Sequence, residues 1–439
     1  MTRFVTVLFA PMLLTACSGD APDAGQASPA AGPAPAVEPA PGEGITAFTG
    51  AVIWDGTGAA AQHGAVLLVR DGRIDSIAAA IPEGAAIIDL AGRWIIPGFV
   101  NAHAHISGRW AADSITDPAA RVEADLGLYA RYGVTSVLSL GGAPAEAFAI
   151  RDAQNSPTLT YARLHLAGKI VSGNTVAEAR VTALANIDEG VDWMKIRIDD
   201  NLGTGTKMPW AAVQVAMNAA KAANIPIATH IYYLEDAARA LQMGSGLIAH
   251  SVRDQVVTDE FVQLVLDTGV CYVPTLVREV SNFVYASRPD WFDDPFFLEA
   301  ANRSEMERVT EPAFMDRVAA NPAAAAYRKA LGQAEENLRI MIGSGVPVAF
   351  GTDSGPPGRF PGYFEHLEFG LMADAGLTPR EILLSATSVA AKCLGLDDVG
   401  SLETGKWADF IVLSEDPTRD IRAARSIQSV YVAGNSVSR

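Results

Sequence analysis

Between residues 95 and 353 the chain alternates unbroken apolar runs with longer stretches whose apolar positions recur at helical spacing. The runs include Ile95-Ile96-Pro97-Gly98-Phe99-Val100, Val134 to Leu138, Leu159 to Leu164, Val191 to Met194, Ile225 to Thr229, Leu247 to Ala249, Cys271 to Thr275 and Val346 to Thr352. Continuous apolar runs of this length predict strands buried on both faces, as in a parallel sheet. The stretches between them predict helices over 118–132, from Pro144 to about 153, over 210–223 with Asn224 as the C-cap, over 235–243 and over 324–344. Repeated βα units of this kind predict an α/β fold, a (β/α)8 TIM-like barrel spanning 97–397.

The flanks read differently. Residues 46–90 show β-type alternation, with Asp71-Gly72 as a hairpin turn, and similar short strands return only at 409–413 and 429–433. The segments 45–96 and 398–439 therefore predict one small β-sandwich domain built from both ends of the chain. A polar and aromatic insertion at 278–319 interrupts the βα repeat, and its aromatics suit either a lid over a hydrophobic substrate or packing onto the barrel.

The N-terminal segment 1–17 has a basic residue, Arg3, then an apolar stretch too short to span a bilayer, then Leu14-Thr15-Ala16-Cys17. This is similar to the lipobox of bacterial lipoproteins and implies a signal peptide with lipidation of Cys17. Residues 18–44 are Ala, Pro and Gly-rich, the composition of a flexible, disordered tether. The expected location is the bacterial cell envelope, lipid-anchored and facing the periplasm at the outer membrane, a sorting suggested by Ser18. The anchor is the only membrane association expected.

Composition narrows the function. With 33 basic against 50 acidic residues the net charge is −17, which excludes a nucleic-acid partner, whose phosphates demand a basic face. The chain has 3 cysteines. Cys271 falls in a predicted strand and Cys393 in a late helix, so no structural disulfide is expected between them, and any metal site must use nitrogen and oxygen ligands.

Six such ligands stand at the polar ends of the apolar runs: His103, His105, Lys195, His230, His250 and Asp353. Barrel strands converge at their C-terminal mouths, so positions distant in sequence can share one site. In His103-Ala104-His105, alternation along an extended segment puts both imidazoles on one side. Lys195 at the end of a buried strand is costly as an ammonium, and a neutral amine there can add carbon dioxide to give a carbamate. The alternative for Lys195 is snorkelling to solvent. Asp353 fits a proton-transferring carboxylate or a turn aspartate. The remaining histidines, His63, His165 and His366, lack such a setting and read as structural or as neighbours that position a ligand.

Pro97-Gly98-Phe99-Val100-Asn101-Ala102-His103-Ala104-His105, Lys195, His230, His250 and Gly351-Thr352-Asp353 together resemble the metal-binding set of the amidohydrolase superfamily. Ala386-Thr387-Ser388 and Gly400-Ser401-Leu402-Glu403-Thr404-Gly405-Lys406-Trp407-Ala408-Asp409 are similar to its closing motifs, and the nearest branch is imidazolonepropionase-like and prolidase-like. The resemblance implies two divalent metal ions, best suited to zinc, with manganese or iron as alternatives. His103, His105 and Asp353 would hold one ion, His230 and His250 the other, with carboxylated Lys195 and a hydroxide bridging them. It further implies a hydrolase cleaving the C–N bond of a small-molecule amide, such as an N-acyl amino acid, dipeptide or cyclic amide, with Asp353 carrying the proton. Tyr232, two residues past His230, is expected to contact substrate, with a packing role as the alternative. Esterase, lactonase and deaminase chemistry, or ligand binding without turnover, are the alternatives, and a homo-oligomer is compatible with the chain. Leu138-Ser139 and Ser172-Gly173-Asn174 depart from the Arg-Asp and Gly-Gly-His of many prolidase-like relatives, so a substrate carboxylate would need another cation; Arg197, Arg253 and Arg278 are candidates.

Overall fold

The computed structural model describes residues 43–438; the leader, Cys17 and nearly all of the 18–44 tether lie outside the described residues. Seven strands, Phe99–Ala104, Val134–Ser139, Arg163–Leu166, Met194–Arg197, Ile227–His230, Leu247–Ala249 and Cys271–Val273, follow one another in chain order and every paired neighbour is parallel. Backbone bonds from Asp192 and Trp193 to the Leu166 carbonyl and the parallel bridge Val171–Ile196 join the third strand to the fourth. The extended segment 348–354 is the eighth. It bridges in parallel to Tyr272 on one side and to Ala104 on the other, closing the ring. Helices between the strands cover the outside, and the result is a (β/α)8 barrel.

Burial explains the composition of the strands. In Phe99–Ala104 and Val134–Ser139 every residue is buried, because alternate side chains face the barrel interior and the surrounding helices. The helices start where their sequences supply caps. Asp117 accepts the Ala120 N–H ahead of Pro118–Arg131, and Thr175 forms a capping box with Glu178 ahead of Val176–Asp188.

The two ends of the chain meet in one layered unit. Phe410–Leu413 pairs antiparallel with Trp94–Pro97 in a five-stranded sheet, and Ile45–Thr49 lies in a four-stranded sheet with the hairpin Val66–Arg70/Arg73–Ala78. Asp71 and Gly72, at the hairpin tip, both have positive φ, the geometry that favours Asp-Gly there. Phe48 packs edge-on against Phe410 and Tyr431 between the two sheets, with ring centroids 4.9 and 5.0 Å apart. Arg163 of the barrel forms a buried ion pair with Asp409 at 2.7 Å and stacks on Trp407, joining the barrel wall to the sandwich.

Some expectations needed correction. Cys271 and Cys393 are joined in a disulfide, with their Cα atoms 5.9 Å apart. Lying in different elements does not separate them, because Ala390–Leu394 runs beneath the N-terminal end of the Cys271–Val273 strand. The third strand is Arg163–Leu166 rather than 159–164, and the helix after Pro144 begins at Glu146. Residues 278–319 form short helices, and their Tyr285, Phe292 and Phe297 are buried with Trp110, Phe360 and Tyr363. Those aromatics serve packing onto the barrel rather than a free apolar lid.

Candidate metal centre and active site

The C-terminal ends of the barrel strands bring the six sequence-derived residues to one place. Lys195 Nζ is 3.2 Å from His103 Nε2, and Asp353 Oδ1 lies 2.8 Å from His105 Nε2 and 3.5 Å from His103 Nε2. The His250 ring is 4.5 Å from that of His103 and 4.2 Å from that of His230. Donor atoms of His103, His250 and Asp353 fall within 4.8 Å of one another.

These donors are oriented by neighbours. The His105 Nδ1–H donates to the Gly141 carbonyl at 2.7 Å, leaving Nε2 to face Asp353. His250 Nδ1 sits 2.7 Å from Thr275 Oγ1, and its Nε2 is buried with no partner. Anchoring one ring nitrogen fixes the tautomer and aims the other, as metal-ligating histidines require. His103 Nδ1 is likewise buried and unpaired. Unpaired buried donors are costly. A nitrogen and oxygen set without thiolate, held in this way, fits zinc, manganese or iron.

The backbone is strained at the same place. His250, Thr275 and Asp353 all have positive φ, at 124°, 49° and 58°. Such conformations are rare for residues with a Cβ, above all for a β-branched one, and concentrate at functional sites. Gly355 is required just beyond: a Cβ there would stand 1.9 Å from the His105 carbonyl oxygen.

Electrostatics follow from burial. Lys195 is only 2% exposed, and desolvation brings its ammonium down to about 7, against the partial opposition of Asp353. Burial lowers His230 to about 3 and holds His103 and His250 well below the usual imidazole range, so these rings are neutral at neutral pH, the form a metal ion requires. For Asp353 burial pushes upward, but Arg359, His103 and His105 outweigh it and hold the carboxyl well below its ordinary range.

Asp199, Arg359, Glu365 and Glu368 surround the site without belonging to the six residues that the sequence singles out. Asp199 Oδ2 is 3.1 Å from His230 Nε2. Arg359, from the loop after the eighth strand, contacts Asp353 Oδ2. Glu365, fully buried, accepts from Asn101, Thr352 and Ser354 at 2.7, 2.8 and 2.6 Å, while Asn101 accepts the His103 N–H. Glu368, one turn on, accepts the backbone N–H groups of Leu276 and Val277, next to Thr275. One helix, Tyr363–Asp374, thus braces both sides of the site. Tyr232 packs under the Arg253 guanidinium, 4.7 Å from its ring centre, and Arg253 pairs with Glu279. Tyr232 and Arg253 are singled out by the sequence as well; of the others, Asp199 has a readable signal, standing two residues past Arg197, the last residue of the Met194–Arg197 strand.

The sequence profile of the Amidohydrolase family matches residues 94–437. The chain belongs to this family. It is a hydrolase acting on carbon–nitrogen bonds. Among curated relatives of this family member, an imidazolonepropionase of Deinococcus radiodurans is 26% identical over 398 residues, covering 84% of this chain and 91% of the relative. Among solved structures, a Xaa-Pro dipeptidase with methionine bound in its active site superposes with a TM-score of 0.69 at 22% identity, over 90% of this chain and 100% of that one. A molinate hydrolase superposes with a TM-score of 0.68 at 20% identity, over 90% and 94% of the two chains. At these identities the structural likenesses speak for the shared fold.

Proposed function

We propose that this amidohydrolase is a binuclear, metal-dependent enzyme that hydrolyses the amide of an N-acyl amino acid, dipeptide or cyclic amide. The observation that carries the reading is a lysine buried among histidines: Lys195 stands 3.2 Å from His103 in a pocket that disfavours its ammonium form. Its neutral amine can add carbon dioxide, releasing a proton and giving a carbamate whose two oxygens suit a pair of cations. In this reading His103, His105 and Asp353 would hold one divalent ion, zinc by donor chemistry, and His230 and His250 the other, with carboxylated Lys195 supplying an anionic oxygen group to both. When bound, the ions supply Lewis acidity that activates water and polarises the amide carbonyl.

The chain's own groups do the rest. Asp353 accepts the proton of the attacking water and passes it to the leaving nitrogen. Tyr232, whose hydroxyl burial keeps protonated, donates a hydrogen bond to the carbonyl oxygen as negative charge develops there. Thr275 and Gly141 keep the His250 and His105 rings in place. The test is turnover of a library of N-acyl amino acids and dipeptides by zinc-reconstituted protein: release of free amine from a subset supports the reading, and hydrolysis of esters alone contradicts it.

We also propose export and lipid anchoring at Cys17. Support comes from the leader pattern and from the Cys271–Cys393 disulfide, since such bonds persist in oxidising compartments. Metabolic labelling with a lipid precursor, lost in Cys17→Ser, tests it.

A further inference from the structure

Asp353 has two faces. Its Oδ1 edge looks at His103 and His105, while Oδ2 meets two guanidiniums: Arg359 Nη1 in direct contact and Arg278 Nε at 3.7 Å. Both arginines are held from behind rather than free to swing. Arg359 Nε donates to Ser281 Oγ at 3.0 Å, and Arg278 Nη1 donates to Glu279 at 2.7 Å with its guanidinium over Tyr327. Arg278 is 7% exposed, and its Nε has no hydrogen-bond partner. Behind them Arg253, also buried, has Nη2 unpartnered.

Resting on the function proposed above, we infer that Arg278 and Arg359 form a subsite for a substrate carboxylate on the leaving-group side of the scissile amide. Three considerations lead there. The first is charge. Around the mouth four arginines, Arg197, Arg253, Arg278 and Arg359, share three carboxylates, Asp199, Glu279 and Asp353, so divalent cations held partly by Asp353 would leave the buried arginines short of counter-charge. An anionic substrate group restores the balance. The second is shape. A guanidinium fork with unused N–H donors matches a carboxylate in a way that a lysine or a backbone amide does not.

The third is position. The arginines touch the same carboxylate that returns a proton to the leaving nitrogen, so an acid group attached beside that nitrogen falls within their reach. The segments that differ from prolidase-like relatives offer no cation instead. Ser139 Oγ accepts the Ile106 N–H inside the barrel, and the Asn174 N–H is spent on Glu178 at an exposed turn. The subsite selects N-acyl amino acids and dipeptides with a free terminal carboxylate over neutral amides and most cyclic amides.

The experiment compares N-acetyl amino acids and dipeptides with their C-terminal carboxamides on the zinc-loaded enzyme. The acids should exceed their carboxamides in kcat/KM by about ten- to hundredfold, the range expected of charged hydrogen bonds. That ratio should collapse in Arg278→Gln and in Arg359→Gln, through KM more than kcat. Carboxamides turned over as well as acids would overturn the subsite while leaving the amide hydrolase standing. Should neither series be hydrolysed, the function proposed above fails, and calorimetry judges the subsite alone. N-acetyl-L-leucine binding at least about tenfold tighter than N-acetyl-L-leucinamide, with the margin lost in Arg278→Gln, supports it; equal affinities overturn it.

Discussion

Lys195 Nζ lies 3.2 Å from His103 Nε2, two groups that would repel each other if both carried a proton. Burial resolves the conflict by favouring the neutral form of each. A neutral lysine amine is also the form that reacts with carbon dioxide. Replacing it with alanine should lower kcat/KM by about a hundredfold or more, since a cation-bridging group is worth several kcal/mol. Short carboxylic acids should restore part of the loss by supplying a carboxylate. Unchanged activity in Lys195→Ala would remove the carbamate from the account.

The same residue predicts a pH dependence. Its pKa falls from 10.5 to about 7 on folding, so the folded metal-free protein binds fewer protons than the unfolded chain between those values. The Lys195 contribution therefore makes stability rise with pH from about 7 to about 10.5, and activation by zinc plus bicarbonate should fade below about pH 7 as the amine protonates. Activation that is equally fast at pH 5.5 and pH 8 would contradict this.

Glu365 joins the turn that carries Asp353 to the strand that carries His103, through Thr352, Ser354 and Asn101. In Glu365→Gln an amide must replace a carboxylate that accepts from three donors. Zinc affinity, measured by chelator competition, should weaken by about ten- to hundredfold, as for other groups that orient ligands. Wild-type affinity in this variant would show that the turn holds without it.

His366, which the sequence leaves as either structural or ligand-positioning, packs among Phe99, Phe296 and Phe369 with Nε2–H donating to the Tyr132 carbonyl. Burial lowers its pKa from 6.5 to about 3. The unfolded chain therefore binds more protons in that window, and the His366 contribution is lost as pH falls from about 6.5 towards 3. His366→Phe should flatten the acid limb of the unfolding free energy by up to about 1.4 kcal/mol per pH unit. An identical acid limb would contradict the assignment.

The Cys271–Cys393 bond closes a long loop, with Cys271 at the start of its barrel strand and the candidate metal centre at the strands' other ends. Cys271→Ser/Cys393→Ser should cost about 2–4 kcal/mol in denaturant unfolding. The zinc-loaded activity at 25 °C should stay within about twofold, because neither sulfur touches the site.

What could be read from the chain alone was set by local signals. The His-x-His pair, the lone Lys195 and the isolated histidines each end an apolar run, so periodicity both predicts the strands and singles out the candidate ligands. Asp71-Gly72 announced its hairpin because few other pairs tolerate that turn. Arg359 and Glu365 gave no such sign, since one sits in a loop and the other in a helix with no repeat linking it to Asp353. The disulfide was missed for the same reason. Cys271 and Cys393 are 122 residues apart, and only the closing of the barrel brings helix and strand together. The apolar run 159–164 starts ahead of the Arg163–Leu166 strand because Leu159 and Ala162 are buried in the core without strand pairing.

The central claim, that six side chains at one barrel rim hold a pair of ions joined through Lys195, is tested most directly by metal content. Protein stripped with chelator, reconstituted with zinc and bicarbonate and freed of excess metal should carry two zinc ions per chain by atomic emission. The Lys195→Ala protein should carry one or fewer. A wild-type content well below two, or an alanine variant that binds as much zinc as the wild type, would contradict the account.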